Sequence, residues 1–476
     1  MATKRVQFTE WLPDQPANSG AIIDAKNVFP VSVGYQPFPS SEDYSGDAAE
    51  PLNSIFVAKF SDDVQAFAGS ATKLYNLNNT TLALTDVSST VYGGTSNWKF
   101  SQFGQTVLAV NNSSSVQAWT IGSSTVFADV ATSPVAKYIT TVRDFVVCGH
   151  LDGGSNANKI AWSDINDYSD WTPGATSQSD SQVLPDGGNI TGLTGGEFGL
   201  VFLEKAIVRL QYTGSPLFFT VDTISRGLGC FEGNSIAQYG GTSFFLADDG
   251  FYTCDGQNVV GIGQEKVDRW FFNDCNLNEL DSMSTAVDPI KKLVVWNYAN
   301  VGGARSILIY NWQINKWSRA ETVSTVVGNL ASVGTTLEGL TDTLGYTDID
   351  IMPASLDDRL WVGGKFLFAG AKDRKMVTFT GEPISPFIIT SDLEVGFNSV
   401  VNLIRPAIDN GSADIAIASR KELDDTIEFG PTVSTTQDGR ANVRSGGRYH
   451  RIQINPTGNW TTCMAVDVDF IPQGNR

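Results

Sequence analysis

Only two histidines occur in the chain, His150 and His450, 300 residues apart. Imidazole is the usual general base near neutral pH and a frequent metal ligand. Neither histidine stands in a supporting motif, so the residues predict no Ser-His-Asp site. The five cysteines, Cys148, Cys230, Cys254, Cys275 and Cys463, are odd in number, widely spaced and without a C-x-x-C pair. That pattern predicts buried thiols in a reducing compartment rather than a disulfide framework or a zinc knuckle. Neither G-x-x-x-x-G-K-[ST] nor G-x-G-x-x-G occurs, and Gly227-Leu228-Gly229 lacks the third glycine.

Carboxylates offer more. A glycosidase needs an acid and a nucleophile or base on either side of the sugar bond, and Asp62-Asp63, Asp248-Asp249, Asp357-Asp358 and Asp424-Asp425 are the available pairs. All are adjacent. On a strand such neighbours point to opposite faces, and in turns they bond the local backbone. Residues 163–171, Ser-Asp-Ile-Asn-Asp-Tyr-Ser-Asp-Trp, resemble the Asp-box turn of sialidase propellers but lack its glycine, and for the same reason make a poor calcium loop. The expectation is a protein without catalytic residues, cofactor or bound metal.

With 32 Lys plus Arg against 51 Asp plus Glu, the formal charge is −19. A chain this acidic is a poor holder of nucleic acid by its phosphates. Its 41% hydrophobic and 11% aromatic content is too apolar for acidic disorder. No run approaches the roughly 18 apolar residues of a membrane-spanning helix. The first residues show no continuous apolar stretch of the signal-peptide kind. A soluble protein made in a cytoplasm is expected.

The elements that must position any site are short β-branched and aromatic runs bounded by turn residues, which predict an all-β chain. The one helix expected covers Glu265 to Asn273. Apolar strand pairs recur: Val64 to Ala68 with Lys73 to Leu77, Thr106 to Val110 with Val116 to Trp119, and Asp144 to Cys148 with Lys159 to Trp162. Leu200 to Leu203 with Ala206 to Leu210, Thr242 to Ala247 with Gly250 to Cys254, and Lys292 to Trp296 with Ser306 to Tyr310 continue the series. Their first strands lie 42, 38, 56, 42 and 50 residues apart, near the 40 to 50 residues of a four-stranded propeller blade. Weaker strands near Asn53, Asn97, Lys137, Asn189, Asn234 and Met283 precede each pair. The predicted fold is therefore a β-propeller of six or seven blades, not all regular, with an added C-terminal β-sandwich-like platform domain. A string of β-sandwich hairpins is the plainer alternative.

This reading divides the chain into a proline-rich extended arm (1–50), which can close the propeller by supplying a strand, and propeller blades (51–321). An irregular excursion (322–356), closing strands (357–392) and the platform (393–476) follow. The platform holds 8 basic and 10 acidic residues, whereas the first 392 residues hold 24 and 41, a balance of −17.

A set of local phrases also stands in fixed order: Ala25-Lys26-Asn27-Val28-Phe29-Pro30, Gly34-Tyr35-Gln36-Pro37-Phe38-Pro39, Trp162-Ser163-Asp164 with Trp171, and Gly196-Glu197-Phe198-Gly199-Leu200-Val201-Phe202. Then come Gly227-Leu228-Gly229-Cys230, Asp248-Asp249-Gly250-Phe251-Tyr252, Ser355-Leu356-Asp357-Asp358-Arg359-Leu360-Trp361, Arg405-Pro406, Gly447-Arg448-Tyr449-His450-Arg451 and Gly474-Asn475-Arg476. Together they resemble the tail nozzle, or packaged-DNA stabilisation, proteins of short-tailed bacteriophages. The resemblance implies a structural, non-enzymatic virion protein assembled in the bacterial cytoplasm. It implies a hexameric ring below the adaptor ring, tail fibres or spikes at its side or tip, and viral DNA passing through the lumen without specific binding.

Under that resemblance, acidity facing the lumen would let DNA slide; acidity spread outward for solubility is the alternative. Thr336, Glu338, Thr341, Asp342 and Asp348 of the excursion are the expected gate or lumen residues, by length and composition. Arg440, Arg444, Arg448 and Arg451 form the one basic cluster, either docking a partner or pairing Asp438 and neighbouring carboxylates. Two other functions remain open on the residues: a virion propeller recognising cell-surface glycan, and a propeller glycosidase.

Overall fold

A computed structural model describes residues 2–61, 63–94, 96–332, 348 and 364–473. Antiparallel four-stranded meanders follow one another along the chain, as the recurring strand pairs require. The first uses Leu52–Phe60, Asp63–Ser70, Leu74–Leu77 and Leu84–Asp86 in sequence order. Six such quartets are separate sheets; a seventh, Ser284–Asp288 to Lys316–Thr322, has the same order but continues into a fourteen-stranded sheet. The first strands of the quartets are Leu52–Phe60, Lys99–Phe103, Ala136–Val142, Ile190–Thr194, Ala237–Tyr239, Ser284–Asp288 and Val326–Ala331. These strands pack on one another from the first to the fourth and from the fifth to the seventh, the Gly233–Ser235 turn before the fifth packs on the fourth, and the last returns to the first. The result is a closed β-propeller, in which radial stacking buries the sheet faces that a lone meander would expose.

Faces between blades are filled by aromatic side chains. Phe251 lies 4.8 Å from both Phe271 and Trp296, and Trp296 stacks on Trp317 at 5.7 Å. Indole nitrogens in these cores still need acceptors. Trp296 Nε1 donates to the Ser235 carbonyl at 2.9 Å, Trp317 Nε1 to that of Ile262 at 3.1 Å, and Trp98 Nε1 to that of Ser70 at 3.0 Å. Each bond ties one blade to its neighbour. The α-helix, Asp268–Asp274, adds Phe271 to this core from the connection before the sixth blade. All five cysteines are buried free thiols.

The arm threads the whole assembly. Ala2–Gln7 pairs with the closing platform strand, Ala2 opposite Phe470. Asp24–Lys26 lies between the sixth blade's outer strand and Phe387–Ile389, with Lys26 opposite Arg319 and Ala25 opposite Ile388. There Arg319 grips Asp24 through Nε at 2.8 Å and Nη2 at 2.5 Å. Ser40–Asp43 becomes the outer strand of the last blade, Ser41 opposite Phe379. Residues 40–43 thus complete a blade otherwise built from strands between residues 326 and 381.

The platform is made of long strands that change partner. Ala441–Thr457 pairs with Leu393–Asp409 through its first part and with Ser412–Arg420 through its second. Thr462–Pro472 covers the other side of Leu393–Asp409. Strands that switch neighbours in this way let one continuous sheet fold over its own apolar face.

Val326–Ala331 is the inner strand of the last blade, not part of the irregular excursion expected over 322–356. Its alternation is masked by Gly328 and Asn329, because Gly328 sits against the Ile55 side chain, where a Cβ would come within 2.6 Å. The hairpin to Phe366–Lys372 is pinned at its base by Ser332 N to Lys365 O at 2.8 Å. Of the connecting residues 333–363, Asp348 alone is described, and it is exposed.

Candidate functional site

Each blade is an antiparallel meander entered through its inner strand, so the seven inner strands run the same way and their first residues ring one mouth of an axial channel. At that mouth lies a cavity of ≈ 440 Å³ lined from the first, second, fifth, sixth and seventh blades, including Asn53, Asn97, Asn234, Gln238, Thr285 and Asn329. A second cavity of ≈ 250 Å³ lies against the second to fifth blades, with Thr140, Thr194 and Gln238. Lys99 borders both.

Lys99 opens the second inner strand and reaches across the channel, where its Nζ donates to Asn234 Oδ1 at 2.7 Å. Asn234 is held from three sides. Its Nδ2 donates to the Asp281 carbonyl at 2.7 Å, its backbone N–H to Glu232 Oε1 at 3.0 Å, and its carbonyl accepts from Thr285 Oγ1 at 2.8 Å. An amide whose nitrogen is committed to a carbonyl must present its oxygen elsewhere. The loop that carries Asn234 comes so close to the fourth blade that a Cβ on Gly233 would meet the Thr191 carbonyl at 1.9 Å.

Electrostatics follow from depth. Burial pushes the Lys99 amine down to about 8, the Glu232 carboxylate opposing and Lys137 adding to the fall. Part of the Lys99 side chain still borders cavity space. Burial likewise raises the Glu232 carboxyl, moderated first by the Asn234 backbone N–H and then by Lys137 and Lys99. Among the described residues, no Asp or Glu lines either cavity.

Sequence-derived carboxylate pairs lie elsewhere. Asp248 pairs with Lys205, and Asp249 accepts from the Tyr252 hydroxyl at 2.9 Å. Asp425 caps the backbone of Lys421 and Glu422 at 3.2 and 3.0 Å. Asp62, Asp357 and Asp358 fall outside the described residues. In the 163–171 turn, Asp167 accepts from the Ser169 backbone and hydroxyl at 2.8 and 2.6 Å. No group of three or more His, Cys, Asp or Glu suited to a metal ion occurs among the described residues.

The two histidines are also apart. His150 Nδ1 lies 3.1 Å from the Ile190 carbonyl. His450 is fully buried in the platform, Nε2 at 2.9 Å from Ser399 Oγ and Nδ1 at 2.7 Å from Ser419 Oγ. Burial drives its imidazole down to about 4. This Ser-His-Ser contact joins three strands distant in sequence, and no local motif announces it.

The four arginines are not one patch. Arg440, Arg444 and Arg448 are exposed, whereas Arg451 is 8% exposed. Arg448 binds Glu394 Oε1 through Nε at 2.9 Å and Nη2 at 2.6 Å. Arg451 and Arg420 both clamp Asp392, at 3.0 and 2.5 Å, with that carboxylate 2% exposed. The odd spacing of 448 and 451 on one strand turns them to opposite faces. Asp392 precedes the strand Leu393–Asp409 and Arg420 ends Ser412–Arg420, so neither stands near Arg451 in sequence to announce the contact. Among the expected gate residues, Thr336, Glu338, Thr341 and Asp342 lie outside the described residues, and Asp348 is exposed.

No family model and no curated protein matches the chain. Among the described residues no helix is long and apolar enough to cross a membrane.

Proposed function

We propose that the protein is a structural virion component, a tail nozzle subunit that assembles as a hexameric ring below an adaptor ring. In this role it extends the DNA channel, retains packaged DNA and passes it during ejection without specific binding. The reading rests on the ordered phrases of the sequence and is supported by one architectural observation: propeller and platform are stitched into one body by the N-terminal arm. Ala2–Gln7 is paired in the platform and Ser40–Asp43 in the last blade. A subunit that must bear internal DNA pressure benefits from having its two parts fastened by strand pairing rather than by a linker. Acidic charge concentrated in the first 392 residues suits a wall from which a polyanion must slide. Native mass measurement and particle imaging of the purified chain test the reading. A sixfold ring supports it; a stable monomer or trimer at virion-like concentrations refutes it.

A glycan-recognising propeller is the second reading, favoured by Tyr239. Its ring is 42% exposed, lies 5.1 Å from Trp312 and is flanked by Lys292 at 5.6 Å. Aromatic faces of this kind stack on sugar rings; a trimer that binds cell-surface polysaccharide through Tyr239 would favour it over the nozzle.

A further inference from the structure

Charges turned toward a protein interior are normally paired, and Lys99, half-buried at the cavity wall, has no ion-pair partner. Asn234 is its one hydrogen-bond partner among the described residues, and no carboxylate lies within ion-pair distance. An ammonium has three N–H donors, so two remain free to point into the channel. The walls add neutral polar groups, Asn53, Asn97, Ser284, Thr285 and Asn329, and the Asn329 Oδ1 is itself buried without a partner. In a chain with 51 acidic residues, none borders this space among those described. A volume of ≈ 440 Å³ is within the range of small-molecule sites.

We propose that the axial cavity is a binding site for a small polyhydroxylated anion, its carboxylate or phosphate on the Lys99 ammonium and its hydroxyls on the surrounding amides and hydroxyls. The Asn234 bond holds the amine in mid-channel, so the anion completes the coordination of Lys99 without displacing it. Titratable groups facing the amine are Glu232 and Cys230 on the loop before the fifth inner strand and Lys137 with Tyr138 on the third. Glu232 stands behind Asn234, bonded to its backbone N–H and outside the cavity lining. The inference stands apart from the oligomeric reading, since it concerns the interior of one subunit.

Calorimetric titration of the full chain with gluconate, glucose 6-phosphate and neutral glucitol tests it. Binding of either anion with at least tenfold weaker binding of glucitol is expected, and the better anion names the source. Lys99→Met, which fills the volume without a charge, should lose the anion by at least tenfold. Wild-type protein supplies a check that needs no variant. Anion affinity should fall about thirty-fold between pH 7 and 9.5, because the amine titrates near 8, and binding at pH 8 should take up a proton fraction visible as a buffer-dependent heat. Absence of binding by both anions, equal binding of glucitol, or an affinity unchanged by pH or by Lys99→Met each overturns the proposal.

Discussion

Asp268→Asn is expected to stabilise the protein above neutral pH. Asp268 opens the one α-helix among the described residues with its side chain turned into the core, where Phe251 N donates to Oδ1 at 3.1 Å. The backbone closes tightly over it: a Cβ on Gly263 would meet Oδ1 at 2.0 Å. Burial raises its carboxyl to about 7, the Phe251 N–H opposing and the Asp14 and Asp249 charges adding to the rise. The unfolded chain ionises this group near its ordinary value of 3.8. A folded-state pKa raised above the unfolded one means that the native state holds the proton longer. Its stabilising contribution is therefore complete below about pH 4 and is lost as pH climbs through 7. Three units at 1.36 kcal/mol each amount to about 4 kcal/mol by pH 8. Spread over the unfolding entropy of 476 residues, roughly 1 kcal/mol per kelvin, this is about 4 °C in Tm. Asparagine keeps the acceptor for Phe251 and cannot ionise. Part of that loss precedes pH 5, so scanning calorimetry of both proteins at pH 5, 6, 7 and 8 should show the variant gaining on the wild type by about 3 °C across that range. Parallel profiles, or a variant less stable at pH 8, would show that the carboxylate is not held protonated by its surroundings.

His450 carries the opposite sign. Its folded pKa near 4 lies below the ordinary 6.5, so its contribution is complete above 6.5 and lost as pH falls toward 4; His450→Asn should flatten the acid side of the Tm profile and cost about 1–3 kcal/mol at neutral pH through lost bonds to Ser399 and Ser419. Asp392→Asn removes the carboxylate shared by Arg420 and Arg451 and should destabilise by about 3–5 kcal/mol in denaturant titration; a loss under 1 kcal/mol, roughly what an exposed pair is worth, would refute the buried clamp. Deleting residues 1–43 strips the outer strand of the last blade and bares the edge at Lys375–Gly381. Aggregation on size-exclusion chromatography is expected, and a monodisperse, equally stable truncate would show that the arm does not close the ring.

Blade strands were legible wherever both members of a pair were apolar. Val107, Leu108, Ala109 and Val110 are all fully buried, because the second strand of a blade packs against neighbours on both faces, and such a strand reads as a continuous apolar run. Inner strands were harder. Lys99–Phe103 and Val326–Ala331 turn polar residues to the channel, so their composition resembles that of a loop. The helix was legible from Val267, Trp270 and Phe271 on one face and begins three residues later than expected, at Asp268, since Gly263 to Val267 form tight turns before it. The arginine cluster was legible as composition only; strand parity and two distant partners, Asp392 and Arg420, decide that Arg451 is interior.

Periodicity, turn residues and the 24-to-41 charge imbalance of the first 392 residues are local or additive properties, and they were sufficient for an all-β chain of repeated blades. Ring closure is different. That residues 40–43 complete a blade with 375–381, and that Lys99 meets Asn234 across 135 positions, depends on where the seventh quartet brings the chain back to its start. Neither contact leaves a pattern in its own neighbourhood. A half-buried amine without an ion-pair partner at the channel wall exists only once seven inner strands have been set around a common axis, which is why the channel and its chemistry belong to the tertiary structure alone.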